Sequence, residues 1–190
     1  MKKNQSIIFV LFFCCQLFNI NLLRAELVSD SVYQLNGSWK NQNNQALKLS
    51  DLEGKIQVVS LIYTHCLHTC PTIVSTMQFI EKSFTKAQLE SVSFVLVSLT
   101  PDSDTPKTLK DFAVKRSLNE KRWTLLTSDS NSVRSLAMAL NIKYKKMNDN
   151  EVSHSNLLSV LDTKGRIIFQ QLADISEVKD ISNKISVHMP

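Results

Sequence analysis

A chain of 190 residues, 43% hydrophobic and 21% charged, can bury one substantial core, and it carries no repeat or low-complexity tract that would argue for a solenoid or a disordered segment. Its formal charge of +5 falls to +2 without residues 1–25, which hold three of the 22 basic residues and none of the 17 acidic ones. The remaining Lys and Arg are scattered rather than striped along one element, so the composition predicts no nucleic-acid partner.

Residues 1–25 read as an export segment. Lys2 and Lys3 precede an apolar run over residues 7–23, interrupted only by Gln16, Asn19 and Asn21, and no further charge appears before Arg24. This is the pattern of a secretory signal peptide or an N-terminal membrane anchor. Ala25 offers a small residue for cleavage, but Leu23 matches the small-residue pattern poorly, so cut and retained forms both stand. The expectation is an exported, periplasmic protein, tethered to the inner membrane if the segment is kept, with one domain over residues 26–190.

In chain order, residues 31–35 are expected as a short strand, followed by turns at Asn36-Gly37 and over residues 50–54. Residues 57–63 form a β-branched and aliphatic run, the pattern of an interior strand. Cys66 and Cys70 follow in a loop, and Pro71 opens a helix over residues 71–84. A second apolar strand spans residues 92–99. Thr105-Pro106 starts the next helix, with Leu109, Phe112, Ala113 and Leu118 as its buried stripe. A strand at residues 123–126 leads to a helix capped near Asp129 or Ser130 and ending at Leu140. This alternation predicts an α/β protein with a largely parallel sheet covered on both faces. Residues 157–162 and 166–171 flank Thr163-Lys164-Gly165 as an antiparallel hairpin, and residues 175–187 place Ile175, Val178, Ile181 and Ile185 at helical spacing.

The chemistry concentrates at Cys66 and Cys70. Cys14 and Cys15 belong to the leader, so these are the only two thiols of the exported domain. A disulfide closing only three intervening residues would constrain little of the unfolded chain, which makes a purely stabilising bridge the weaker account. At the start of a helix, unsatisfied N–H groups and the positive end of the dipole favour thiolate, the form that attacks disulfides and binds metal. His65 and His68 flank the pair. Met77, Met138 and Met147 do not cluster in a copper-handling pattern, and His188 is expected to be solvated.

A parallel core with an appended hairpin and helix, and a dithiol at a strand's carboxyl end, is a thioredoxin-like plan with a central mixed sheet. Three motifs resemble the SCO/SenC family in the right order. They are Tyr63-Thr-His-Cys66-Leu-His-Thr-Cys70-Pro71, Pro101-Asp-Ser-Asp104-Thr-Pro106, and Val152-Ser-His154-Ser before a strand ending Leu161-Asp162. The resemblance implies a thioredoxin fold and a role in assembling the binuclear copper centre of cytochrome c oxidase, either as a copper metallochaperone or as a thiol-disulfide reductase. It implies Cys66, Cys70 and His154 as ligands of a copper ion, Cys66 and Cys70 also as a redox-active disulfide, and Asp104, His65 and His68 as candidate outer-shell groups. The implied partner is the copper-bearing oxidase subunit or another copper chaperone, met by a monomer. Two thiolates and an imidazole form a soft three-coordinate set suited to Cu(I), whereas structural zinc would want a fourth protein ligand. The chain departs from the family pattern in carrying Leu67, His68 and Thr69 between the cysteines, Thr100 where an acid often opens the Asp-Pro loop, and Ser153 before the histidine. These departures bear most on Cu(II) binding and metal selectivity, since neighbouring carboxylates tune imidazole ligands. A peroxidase of the same fold fits less well, because Thr64 lies two residues before Cys66 rather than three.

Overall fold

The computed structural model describes residues 30–65, 69–148 and 151–189; the leader, Cys66 and His68 lie outside the described residues. Where the sequence suggests a first strand, the chain makes a 3-10 turn, Val32–Gln34. Ser31 caps it by accepting the Tyr33 N–H, and the Val32 N–H donates to the Gly165 carbonyl. Local capping thus wins over extension. A short hairpin not expected from the sequence follows, β1 (Trp39–Asn41) and β2 (Ala46–Leu47). The Asn41 side chain closes its turn by accepting the N–H groups of Asn43 and Gln45, with Asn44 at φ 58°, a left-handed position that asparagine tolerates.

After a 3-10 turn at Leu49–Leu52 comes β3 (Ile56–Ile62), buried at all seven positions. Because successive side chains point to opposite faces, both faces of the sheet are covered there. Two polar residues are accommodated within it: the Ser60 hydroxyl donates to the Leu157 carbonyl, and the Gln57 amide donates to that of Leu52. The next elements are α1 (Thr69–Ser83), the single-turn α2 (Lys86–Leu89), β4 (Val92–Ser98), α3 (Pro106–Lys115), β5 (Trp123–Thr127) and α4 (Ser130–Ala139). A separate hairpin, β6 (Tyr144–Asn148) with β7 (Glu151–His154), stands outside the main sheet. The strands β8 (Leu157–Leu161) and β9 (Ile167–Leu172) then complete it, and a 3-10 turn at Ile175–Glu177 leads into α5 (Val178–Val187).

The strand order is β2-β1-β5-β4-β3-β8-β9. The strands β3, β4 and β5 run parallel at the centre, and antiparallel pairs extend the sheet on both edges. This is a mixed sheet flanked by helices, the thioredoxin-like plan. The capping expectations hold at Thr105, which accepts the Thr108 N–H, and at Asp129, which accepts those of Asn131 and Ser132. Two expectations at helix ends are corrected. Leu118 is buried but lies beyond α3, which Ser117 ends at φ 54° before the Leu118 N–H turns back to the Ala113 carbonyl. Ile175 belongs to the 3-10 turn and is exposed, so Ile181 and Ile185 carry the buried stripe of α5. Among the described residues no helix is long and apolar enough to cross a membrane.

One partly buried polar node ties α1 to the sheet. Glu81 accepts the Trp123 indole N–H at 2.7 Å and the Arg122 Nε–H at 2.6 Å, while the Trp123 ring stacks on Phe94 with centroids 4.9 Å apart. Replacing Glu81 with alanine strands a buried indole donor and is expected to destabilise the protein by about 2 kcal/mol, a fall in Tm of about 4–8 °C for a domain of this size. Thermal unfolding of Glu81→Ala measures it.

Candidate functional site

The parallel strands deliver their carboxyl ends to one edge of the sheet, and the candidate site lies there. β3 ends at Ile62, Tyr63 is buried, and Thr64 and His65 lead toward Cys66. α1 begins at Thr69 rather than Pro71, so Cys70 belongs to the first turn of a 15-residue helix instead of its cap. Pro71 is tolerated there because first-turn N–H groups lack intrahelical partners anyway. The backbone of Cys70 therefore lies at the positive end of the helix dipole. Its side chain, like Cys66 and His68, is outside what the structure describes.

His154 is the last residue of β7, in register with Tyr144 across the hairpin, and not in a loop. Its half-buried ring meets the Tyr63 ring edge-on, with centroids 6.0 Å apart at 80°. The fold thus brings an imidazole from 84 positions beyond Cys70 to the residue three before Cys66. Burial holds its pKa below the usual histidine value, opposed by the Ser155 carbonyl, which lies 3.1 Å from Nδ1. A carbonyl only accepts, so Nδ1 carries the proton, and the neutral ring has its lone pair on Nε2, the form that ligates metals. Its neighbour at Nδ1 is a peptide oxygen and not a carboxylate, as the Ser153 departure suggests.

Asp104 is fully buried and holds Thr64, two residues before Cys66. Its Oδ2 accepts the Thr64 N–H at 3.1 Å, the Ser98 hydroxyl at 2.6 Å and the Thr100 hydroxyl at 3.0 Å, and its Oδ1 accepts the Thr64 hydroxyl at 2.5 Å. These donors come from the segment after β3, the end of β4 and the following loop. Because the Thr64 hydroxyl spends its proton on Asp104, it can only accept from His65, whose Nδ1 lies 3.2 Å away. His65 itself is exposed.

Comparison with known proteins decides the family. The sequence pattern of SCO1/SenC matches residues 31–189. The chain belongs to the SCO1/SenC family. It is 27% identical to the SCO1 protein homolog of Bacillus subtilis (strain 168) over 134 residues, covering 69% of each chain. The solved structure of BsSco, described as a member of the Sco family of cytochrome c oxidase assembly proteins with a disulfide switch, is 23% identical. It superposes with a TM-score of 0.70 over 82% of this chain and 93% of that one. Copper-bound ScoI of Bradyrhizobium japonicum is 20% identical and superposes with a TM-score of 0.69 over 80% and 97% of the two chains.

For this SCO1/SenC chain the sequence does not reveal Tyr63, Thr64, Ser98 and Thr100 as parts of the site's frame, since no spacing links an aromatic and three hydroxyls on separate segments. Asp104 within the motif over residues 101–106 is the signal that the sequence does carry for this frame. Asp102 is exposed and pairs with Lys146 at 3.2 Å, and Thr105 rather than either aspartate caps α3. Met77 is core of α1, while Met138 and Met147 are exposed and apart from it. His188 is exposed at the end of α5. Among the described residues no three His, Cys, Asp or Glu side chains converge as a metal site.

Proposed function

We propose that this SCO1/SenC chain carries one copper ion as cargo on Cys66, Cys70 and His154 and serves the assembly of the binuclear copper centre of cytochrome c oxidase. The observation that carries the proposal is the Tyr63–His154 ring contact, which sets a neutral imidazole beside the strand end that runs into the dithiol. The donor set fits Cu(I), a soft ion content with two thiolates and one imidazole. Copper-bound ScoI and the assembly role given for BsSco support the same reading. The partner is the copper-bearing oxidase subunit or another copper chaperone, met by a monomer on the exported side of the membrane, with residues 1–25 as signal or tether and residues 26–190 as the working domain.

The test is anaerobic titration of the reduced, metal-free protein with Cu(I) against a competing chelator. One tightly held equivalent is expected, lost in both Cys66→Ser and Cys70→Ser. Absence of a tight equivalent, or one indifferent to either cysteine, would overturn the proposal.

A second reading has its own support. Ser153 stands where the family pattern often carries an acid before the histidine, and BsSco is described with a disulfide switch. On this reading the reduced Cys66–Cys70 pair attacks a disulfide of the partner through a mixed disulfide. It ends as its own disulfide, while the partner leaves as a dithiol holding the two electrons and two protons. His154→Ala would then leave disulfide reduction intact.

A further inference from the structure

A cleft of about 320 Å³ opens at the carboxyl end of β4, between α4 and the β6–β7 hairpin. Its floor is apolar: Leu99 and Val133 are each 1% exposed, and Tyr144 is half-buried. Its rim is cationic, with Arg134, Lys145 and Lys146 all exposed. Lys146 shares its charge with Asp102, but both partners are solvated, so that pair is weak. Asp129 is turned toward the N-terminus of α4, where it accepts two N–H groups and the Ser132 hydroxyl. Glu151 stands near the far end of the hairpin, opposite Asn148. Among the described residues neither Arg134 nor Lys145 has an ion-pair partner. Exposed cations around a buried apolar floor are complementary to a segment with carboxylates at its edges and an apolar side chain at its centre.

We propose that this cleft docks an acidic segment of the protein with which the chain exchanges copper, an inference that rests on the copper-carrying reading. The placement gives the docking its purpose. Tyr144 lines the cleft and is the register partner of His154. Cross-strand partners have Cβ atoms only about 5 Å apart, so a segment seated in the cleft is held one residue pair from the imidazole. The rim charges steer encounter and the floor holds the segment once seated. A concave site of this volume suits side chains rather than a lipid surface, which would meet an amphipathic face lying flat. The cations are confined to one hairpin and one helix turn, too few to follow a phosphate backbone.

The probe is a fluorescein-labelled peptide of alternating glutamate and phenylalanine, with a lysine-for-glutamate version as control, added to the reduced, metal-free protein. Anisotropy is expected to show salt-sensitive binding of the acidic peptide alone, weakened at least about tenfold by Arg134→Glu combined with Lys145→Glu. Amide NMR shifts should centre on Val133 and Tyr144. Both substituted residues are exposed, so the double variant should fold, and circular dichroism checks it. Unchanged affinity in the double variant, shifts centred elsewhere, or equal binding of the lysine peptide would overturn the proposal. So would complete displacement by millimolar inorganic phosphate, which would make the cleft a simple anion site. A Cu(I) titration of the same double variant should match the unsubstituted protein. If the unsubstituted protein binds the peptide here yet holds no tight Cu(I), the copper reading fails while the cleft stands.

Discussion

Alanine in place of His154 is expected to weaken Cu(I) binding by more than about 100-fold, the upper end of what loss of a group merely supporting a ligand costs. On the copper-carrying reading the bound ion would drop from three donors to two thiolates. The fold should survive. The ring is only half-buried, it ends a two-stranded hairpin outside the main sheet, and its edge contact with Tyr63 is worth about 1 kcal/mol. Thermal unfolding of the metal-free variant should therefore shift by only a few degrees, about 2–4 °C, while chelator competition shows the full loss. The two readouts separate a ligand from a structural histidine. An affinity preserved within about threefold, equivalent to under 1 kcal/mol, would mean that the imidazole does not touch the ion. The dithiol would then stand alone, and the reductase reading would take precedence.

The parts of the fold legible in the sequence are those where one physical pattern dominates locally. A β-branched and aliphatic run such as residues 57–62, with only Gln57 and Ser60 polar, reads as an interior strand, and Thr105-Pro106 and Asp129 announce helix starts by their own capping chemistry. The elements that escaped lack such a pattern. Tyr144-Lys-Lys-Met-Asn carries no alternating apolar pattern to mark a strand, and β6 is defined by its pairing with β7. Residues 31–35 read as extended, yet a single hydroxyl at Ser31 is enough to turn them. The site divides in the same way. The helix start at Cys70 is legible because a proline marks it within one turn. The approach of His154 to Tyr63 depends on where an isolated hairpin folds over the sheet edge, and only the family resemblance could anticipate it.

Asp104→Ala should have the largest effect on stability, although the sequence offers Asp104 only as a candidate outer-shell group within the motif over residues 101–106. The substitution removes the acceptor for a backbone N–H and three hydroxyls, all converging at a fully buried position. A stranded buried donor costs about 1–3 kcal/mol, and the hydroxyls can partly recover by rotating, so a loss of about 3 kcal/mol is expected rather than the sum of four penalties. Denaturant unfolding should show it as a fall in midpoint without a change in slope. Asp104→Asn keeps one acceptor oxygen but turns an NH2 group toward hydroxyl and N–H donors, so it should recover only part of the loss. Asp102→Ala, two residues away on an exposed ion pair, should cost less than about 0.5 kcal/mol and serves as the contrast. The consequence for function follows from the position of Thr64. It is tied to Asp104 through both its N–H and its hydroxyl, and it stands two residues before Cys66. If Cys66 and His154 hold the ion as proposed, releasing Thr64 would loosen the chain leading to Cys66, and Cu(I) affinity in the folded Asp104→Asn protein should fall about 10–100-fold, the range for groups that orient ligands. Full Cu(I) affinity in a destabilised Asp104→Asn protein would confine Asp104 to holding β3 and β4 together. A stable protein with weakened Cu(I) binding would instead place its role at the loop itself.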